Sequence, residues 1–288
     1  MIEKDPERLE VIARYEALEA KGIFDLDVEE DPEGSIILPG MVDYKQKKLS
    51  TRIKAKWTFH LARKFLNRII KKGLLVIKDV IGVENLDDLQ SGAVLTCNHF
   101  NALDSFAMQV AYERSTVSKK RKLFRVIREG NYTSFPGFYG KLMRACNTLP
   151  LSSNMATMKE FLDGVDYQLK KGNLVLVYPE QSMWWNYRKP KPLKKGAFNF
   201  AAKAGVPVVP IFICMEDSDH IGPDGFPVQE MTIFVDKPIF PDLKKNIVAN
   251  TQAMMDENYR RWKTIYEEFY KIPLVYTCDQ NKKPQKPN

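Results

Sequence analysis

The sequence predicts an α/β fold with a mainly parallel central sheet flanked by helices, preceded by an N-terminal basic amphipathic helical segment. From residue 74 onward, short apolar runs alternate with stretches of helical periodicity, a pattern typical of strand–helix–strand units. Hydrophobic residues make up 44% of the 288 positions, which is enough for a sizeable core. No window approaches the roughly 20 apolar residues of a membrane-spanning helix, so we expect none.

Composition and pattern divide the chain into four predicted regions. The first combines a short charged helix, which ends at Gly22, with an irregular linker rich in Asp, Glu, Pro and Gly. The last is a polar tail that we expect to be disordered. The regions are residues 1–44 (helix and linker), 45–73 (basic amphipathic helix), 74–275 (α/β domain) and 276–288 (tail).

Each element of the α/β domain is predicted from its own pattern. Short continuous apolar runs indicate buried strands, and apolar residues at helical spacing, often closed by a glycine, indicate helices. The predicted strands are 74–83, 93–97, 122–127, 147–151, 174–178, 206–214 and 231–235. The predicted helices are 102–114, 137–146, 155–171, 196–204 and 245–271.

The formal net charge of +8 comes from one segment of the chain. Between Asp43 and Asp79 the sequence has twelve basic residues and no acidic one, so the remaining residues carry about −4. This segment contains the predicted helix over residues 46–72, and we expect it to face an anionic partner.

Three interpretations fit that helix, in which apolar residues such as Trp57 recur at intervals of four. It can pack on the core with a solvated basic face, lie on a membrane with anionic headgroups, or bind nucleic acid. The first two are compatible if only part of the apolar face is buried. The hypothesis taken forward is membrane-surface contact through Trp57, Lys64 and Arg68. No nucleic acid is expected, because no DNA- or RNA-binding motif accompanies the basic stretch.

Cysteine and histidine usage argues against disulfides and metal sites. Cys97, Cys146, Cys214 and Cys278 are widely spaced, and the three histidines are too few to complete a zinc site. We therefore expect reduced, mostly buried thiols and no metal. The charged N-terminus lacks an apolar signal region, which predicts a cytoplasmic protein associated peripherally with the inner face of the membrane.

His99 is the histidine best placed for catalysis. It follows the apolar strand predicted at 93–97, and Asp104 lies five residues further on, in the first turn of the next helix. A carboxylate there can orient the imidazole so that its second nitrogen acts as a general base. The sequence has no nucleophile elbow, so the base would act on a hydroxyl brought by the substrate. An ordinary histidine near a helix-capping aspartate is the alternative.

Three stretches in fixed order strengthen the catalytic hypothesis. The runs AVLTCNHFNALDS, LVLVYPEQS and LKKGAFNFAAKAGVPVVPIFI resemble successive motifs of the lysophospholipid (1-acylglycerol-3-phosphate) acyltransferase superfamily, over about residues 74–240. The resemblance implies an acyltransferase domain over residues 74–275, with His99 as general base and Asp104 as its orienting partner. It also implies that Glu180 organises the acceptor site; a solvated loop carboxylate is the alternative.

Two positions depart from the family pattern. The arginine that ends the family's Phe-Pro-Glu-Gly-Thr-Arg motif is replaced by Met183, and the arginine of its second motif by Ser152 or Ser153. Neither side chain replaces a bidentate cation, which argues against a glycerol-phosphate acceptor. The charge can come from other positions: Arg144, Arg188, Lys194 or Lys195.

Alternatively, the acceptor has no exposed phosphate, and Trp184 and Trp185 stack on a sugar ring or contact acyl chains. Simple packing of these tryptophans is the third interpretation. The predicted substrate-binding residues are Asn101, Glu180, Gln181, Ser182, Arg144, Arg188 and Lys195.

The sequence therefore predicts transfer of a fatty acyl group from acyl-CoA or acyl-ACP to the hydroxyl of a lysophospholipid or related acceptor at a membrane surface. The acyl thioester is a co-substrate, and no bound cofactor is required. The alternatives are a lipid-binding protein of the same fold that has lost the chemistry, a non-phosphate acceptor such as a glycolipid, and a hydrolase that gives the acyl group to water.

Overall fold

A computed structural model describes residues 3–29 and 34–280, and their central feature is one sheet of seven strands. Short apolar runs form the strands, as the sequence predicts. The strands are β1 (Val76–Ile81), β2 (Ala93–Cys97), β3 (Leu123–Ile127), β4 (Thr148–Pro150), β5 (Leu174–Val177), β6 (Val208–Ile221) and β7 (Pro227–Val235).

Ten helices accompany the sheet in the described residues, with a 3₁₀ turn at Thr116–Lys119. They are α1 (Pro6–Lys21), α2 (Leu49–Lys71), α3 (Glu84–Asp87), α4 (Asp104–Arg114), α5 (Glu129–Thr133), α6 (Gly137–Met143), α7 (Met155–Lys170), α8 (Gly196–Ala204), α9 (Ile247–Tyr270) and α10 (Thr277–Gln280).

The strand order is β1-β7-β6-β2-β5-β3-β4, and every neighbouring pair except β6–β7 is parallel. The predicted α/β fold with a mainly parallel sheet is confirmed. Strand β2 lies in the middle, between β6 and β5, and is buried along its whole length. Its carboxyl end therefore lies beside that of β5, at the edge where α/β sheets bind ligands.

Helices cover both faces of the sheet. Alternate residues of β2 point to opposite faces: Leu95 joins a core with α2 and α4, while Val94 joins a core with α7, α8 and α9. On the second face, Gly164 of α7 allows close approach of the linker, because a Cβ there would lie 2.4 Å from the Cβ of Tyr44. The Tyr44 hydroxyl donates to the Pro150 carbonyl at 2.9 Å, which anchors the linker to β4.

The N-terminal helix α1 packs against the loop that follows β5. Its capping follows common rules: the Asp5 side chain accepts from the Glu7 N–H at 2.9 Å, and Gly22 ends the helix with a φ of 71°. Near its end, Glu19 accepts from Lys189 at 2.6 Å and from the Thr277 N–H at 2.8 Å. These contacts tie α1 to the loop and to α10.

The apolar stripe of α2 is divided between core and solvent. Leu66 and Ile69 near its end are buried in the core, whereas Ile53, Trp57 and Leu61 are exposed, Trp57 by 68%. Core packing therefore applies to the end of α2, and the preceding turns present exposed apolar side chains. Within the described ranges, no helix is long and apolar enough to cross a bilayer.

Several boundaries differ from the predicted ones, most of all in β6, β7 and the tail; β7 begins at Pro227 rather than at residue 231. Strand β6 continues to Ile221 rather than ending at residue 214, because its polar second half pairs with β7 in an antiparallel hairpin. Residues 277–280 of the predicted disordered tail form α10, while residues 281–288 lie outside the described residues.

Candidate active site

Two loops meet at the carboxyl edge of the sheet, one after β2 and one after β5. Thr96 lies opposite Val177 in this parallel pair, so the residues that follow emerge side by side. Asn98 donates to the Ile213 carbonyl at 3.0 Å and accepts from the Ile213 N–H at 2.8 Å. This buried amide fastens the end of β2 to β6 and holds the next residue, His99, at the edge of the sheet.

The imidazole of His99 contacts the carboxylate of Asp104, the first residue of α4. The distance from Nδ1 to Oδ2 is 2.5 Å; Asp104 is 1% exposed, whereas the His99 side chain is 25% exposed. The turn between them is held by the Asn101 side chain, which accepts from the Leu103 N–H at 2.8 Å. When Nδ1 donates to the carboxylate, Nε2 is free to take a proton from a hydroxyl.

Tyr178 supports the His99–Asp104 pair from the β5 side. Its ring stacks on the imidazole with the centroids 4.3 Å apart and an interplanar angle of 25°. Its hydroxyl lies 3.0 Å from Ser105 Oγ, on the first turn of α4. Burial raises the pKa of Tyr178 well above its ordinary value, so this hydroxyl stays protonated. Tyr178 was not among the predicted site residues, although its place directly before Pro-Glu in the motif was a visible signal.

Glu180 is a buried connector between loops. It accepts from the His99 N–H at 3.0 Å and from the Lys191 N–H at 2.7 Å, and the Lys191 ammonium lies 3.6 Å away. Both side chains are at most 2% exposed, which excludes the alternative of a solvated loop carboxylate. Burial raises the pKa of Glu180, and the charge of Lys191 opposes that shift. No local pattern singled out Lys191 among the neighbouring basic residues.

A cavity of about 1230 Å³ opens beside His99. Its wall is largely apolar and is built from α1 and the linker after it, from α2, α4, α5, α6 and α8, and from the ends of the strands. His99, Asp104 and Tyr178 form part of the same wall, so the imidazole faces a slot that apolar ligands can enter. The apolar lining includes Phe59, Ala62, Leu66, Phe106, Phe135, Tyr139, Leu142, Met143, Leu151, Ala197 and Phe200.

Comparison with known proteins identifies the domain that carries this site. Residues 79–214 match the family model described as Acyltransferase. These residues, just under half of the chain, are therefore similar to an acyltransferase domain. The chain is also 30% identical, over 138 residues, to the 1-acyl-sn-glycerol-3-phosphate acyltransferase BAT2, chloroplastic, of Brassica napus. That match covers 46% of this chain and 36% of the relative, so the chain spans about a third of that protein's length.

A solved structure shares the fold of the acyltransferase domain and its flanking helices. The 1-acyl-sn-glycerophosphate (LPA) acyltransferase PlsC of Thermotoga maritima is similar with a TM-score of 0.50 and 19% identity. The likeness covers 93% of this chain and 96% of that one.

The two departures from the acyltransferase motifs have structural counterparts. Ser152 is buried, and its hydroxyl lies 3.0 Å from the Ile37 carbonyl oxygen and 2.8 Å from the Glu129 carboxylate. Burial alone would raise the pKa of Glu129, but hydrogen bonds from Ile37, Ser152 and Ser153 outweigh it and lower the pKa. The side chain at this position therefore lies beside a carboxylate, that of Glu129. Met183, at the second position, lines the cavity.

The two tryptophans of the loop that follows β5 pack inside the protein. Trp184 is fully buried and stacks on Phe24 and Tyr15 of the N-terminal region, and its Nε1–H donates to the Leu26 carbonyl at 2.8 Å. Trp185 is 9% exposed. Of the three interpretations, simple packing is the one the structure supports, because neither indole is open to a sugar ring or an acyl chain.

The predicted substrate-binding residues fall into two groups. Gln181 lines the cavity, and its φ of 67° is a left-handed conformation that explains the glycine usual in the family. Glu180, Asn101 and Ser182 lie in the same loops but are engaged internally; the Ser182 hydroxyl donates to Phe24 at 2.7 Å.

The other predicted residues lie away from the cavity wall. Arg144 donates to carbonyls of residues 132 and 135, Arg188 pairs with Asp217 at 2.6 Å, and Lys195 is an exposed helix-capping residue. Each of the two arginines is already used by a local partner. Trp57, Lys64 and Arg68 are all exposed on α2.

Two cations on the cavity wall pair with the linker that follows α1. Arg128 Nη1 lies 2.5 Å from Asp27, and Arg128 also donates to the Gln181 carbonyl at 2.9 Å. Lys194 pairs with Asp25 at 2.8 Å. Lys194 was among the predicted alternative sources of positive charge for the acceptor. Arg128 was not predicted, although its position directly after β3 was a signal.

Proposed function

We propose that the protein transfers a fatty acyl group from an acyl thioester, acyl-CoA or acyl-ACP, to the hydroxyl of a lysophospholipid-type acceptor at a membrane surface. The observation that carries the proposal is the 2.5 Å contact between His99 and Asp104 on the wall of a largely apolar cavity. The acyltransferase family of residues 79–214 and the names of the two relatives agree with this chemistry.

The proposed reaction follows from the orientation of His99. Nε2 takes the proton of the acceptor hydroxyl as its oxygen attacks the thioester carbonyl, and Asp104 stabilises the resulting imidazolium. The new C–O bond forms and the C–S bond breaks. The leaving thiolate then takes up the proton from the imidazolium, which restores the neutral base.

The acceptor's headgroup is expected to meet Arg128 and Lys194. These are the cations on the wall near Gln181, whereas the carboxylate of Glu129 would repel a phosphate near Ser152. Guanidinium and ammonium groups both bind phosphate oxygens. A non-phosphate acceptor is the second candidate, favoured by the pairing of both cations with Asp25 and Asp27.

A transfer assay tests the reaction and the acceptor together. Purified protein is incubated with palmitoyl-CoA or palmitoyl-ACP and either lysophosphatidic acid or monoacylglycerol, and products are identified by mass spectrometry. We expect a diacyl product that disappears in His99→Ala and persists in His220→Ala, which alters an exposed histidine outside the cavity. Retained turnover in His99→Ala would reject the mechanism, and release of free palmitate alone would identify a hydrolase.

Membrane-surface action is proposed for the exposed part of α2. Ile53, Trp57 and Leu61 are exposed apolar residues on a helix whose surroundings are basic, the combination typical of interfacial helices. We expect Trp57→Ser to weaken sedimentation with anionic vesicles by about tenfold. Leu243→Ser, which removes an even more exposed apolar residue outside α2, should not. Equal effects of both substitutions would contradict the docking role.

A further inference from the structure

A polar cluster interrupts the apolar wall of the cavity. Helix α4 lines the slot from Asp104 to Glu113, and its middle presents Gln109. The Arg125 side chain reaches across from β3 and donates to Gln109 Oε1. Gln109 in turn donates to Glu113 at 2.8 Å, and Arg63 of α2 donates to the same carboxylate at 2.8 Å.

The charges of this cluster do not cancel. Arg63 and Glu113 neutralise each other, and Gln109 is uncharged, so Arg125 leaves one positive charge. Arg125 is 9% exposed, and across residues 3–29 and 34–280 no carboxylate forms an ion pair with it. Burial lowers its pKa, but a guanidinium starts so high that it stays charged. A buried cation without a counter-charge is costly and favours an oxygen ligand.

Most of the guanidinium's hydrogen-bonding capacity is unused by the protein. A guanidinium has five N–H donors, and in the described part of the chain the Gln109 side-chain oxygen is the acceptor that Arg125 contacts. Since Arg125 lines the cavity, its other donors are available to a molecule inside it. A bound acyl chain must either accept hydrogen bonds from those donors or exclude water from them and leave them without acceptors.

The cluster lies on the path expected for an acyl chain. Gln109 is five residues beyond Asp104 on α4, which places it roughly 7.5 Å further along the helix axis. In the proposed reaction the thioester carbon of the acyl chain is at His99. If its tail follows α4, the acyl chain passes Arg125 before it reaches the end of the slot.

We propose that Arg125 and Gln109 form a polar subsite in the acyl cavity that selects fatty acyl chains carrying an oxygen substituent, such as a hydroxyl, over fully aliphatic ones. This inference rests on the proposed function, because it takes the cavity to be the acyl slot. An aliphatic chain would leave the guanidinium donors without acceptors, whereas a hydroxyl oxygen accepts from them.

Binding of free fatty acids tests the subsite without requiring turnover. The affinities of palmitate and of hydroxypalmitates, with the hydroxyl near the carboxyl end, in mid-chain or at the terminus, are measured by calorimetry. We expect one hydroxy isomer to bind wild-type protein about tenfold more tightly than palmitate, the effect of one hydrogen bond to a charged group. Arg125→Met, which keeps an unbranched side chain but removes the charge and the N–H donors, should abolish that preference.

The control is Arg114→Met, which makes the same change at an exposed residue of α4 outside the cavity wall and should keep the preference. Equal affinities for all chains in wild type, or a preference that survives Arg125→Met, would overturn the inference. Failure of any fatty acid to bind would also overturn it. If the protein transfers the acyl group of palmitoyl-CoA but binds all the fatty acids equally, the subsite is rejected and the proposed function stands. If it binds one hydroxypalmitate selectively but transfers no acyl group, the proposed function is rejected and the polar subsite stands.

Discussion

Replacing Asp104 by asparagine tests how the imidazole is oriented. The carboxylate is buried and accepts from His99 Nδ1 at 2.5 Å. In Asp104→Asn an amide takes its place, and we expect the amide N–H₂ to donate to Nδ1. Nδ1 must then be the unprotonated nitrogen, and Nε2 carries the hydrogen. The base needed by the acceptor hydroxyl is lost while the shape of the site is kept.

The size of the effect follows from what the base contributes. General-base assistance is worth about 10²–10⁴ in rate, and the wrong tautomer removes it together with the stabilisation of the imidazolium. We expect kcat to fall about 10³-fold, which corresponds to about 4 kcal/mol of barrier. KM for the thioester should change little, because Asp104 lies beneath His99 rather than along the acyl path.

The assay is the initial rate of acyl transfer by mass spectrometry, with thermal unfolding as a control for the fold. Tyr178→Phe is the matched comparison, since it keeps the stacked ring and removes only the hydroxyl; we expect less than a tenfold loss. If Asp104→Asn keeps more than about a tenth of the wild-type kcat, the carboxylate does not set the tautomer and the reasoning fails.

Three further predictions concern stability, each measured by urea unfolding. Glu180→Gln removes the charge from a buried ion pair and should cost about 3 kcal/mol; a loss below 1 kcal/mol would contradict a buried, ionised pair. Gly164→Ala gains about 1 kcal/mol of helix propensity but places a Cβ 2.4 Å from the Tyr44 side chain, so overpacking should win and destabilise by about 1–2 kcal/mol; a stabilised variant would refute this. The hydrogen bond from Arg260 lowers the pKa of Glu257 from 4.5 to about 2, so its stabilisation is complete above pH 4.5 and is lost as pH falls toward 2. Because the pair is partly exposed, Glu257→Gln should remove only about 1 kcal/mol, and a loss that persists unchanged at pH 2 would argue against this linkage.

The elements of the α/β domain were predictable because each follows from local pattern. Strand β2 coincides with its apolar run, and the helices end near their glycines or polar caps. The order of strands in the sheet is different: β2 pairs with β5 and β6, whose sequences lie about 80 and 115 residues away. No periodicity records such pairings, and the polar second half of β6 is held by backbone hydrogen bonds that side-chain patterns do not reveal.

The site divides in the same way. The contact between His99 and Asp104 was predictable, because five residues across a strand-to-helix turn leave little freedom. The ion pair between Glu180 and Lys191 could not be predicted, because several basic residues lie nearby in the sequence and nothing distinguishes Lys191 among them. In the sequence, Arg125 is an ordinary polar residue of a strand. The cavity that it lines is formed by helices from widely separated parts of the sequence, so no local pattern indicated its position.

The N-terminal region was predicted as a helix and linker separate from the α/β domain, yet its contacts make it part of the site. Asp25 and Asp27 neutralise Lys194 and Arg128 on the cavity wall, and the backbone around them accepts from Trp184. A phosphate arriving there must displace two carboxylates that are already paired, so its net gain is the difference between two similar ion pairs. A neutral headgroup would leave those pairs intact. In the proposed reaction we therefore expect the N-terminal linker to influence the choice of acceptor, because the linker sets how much positive charge the cavity offers.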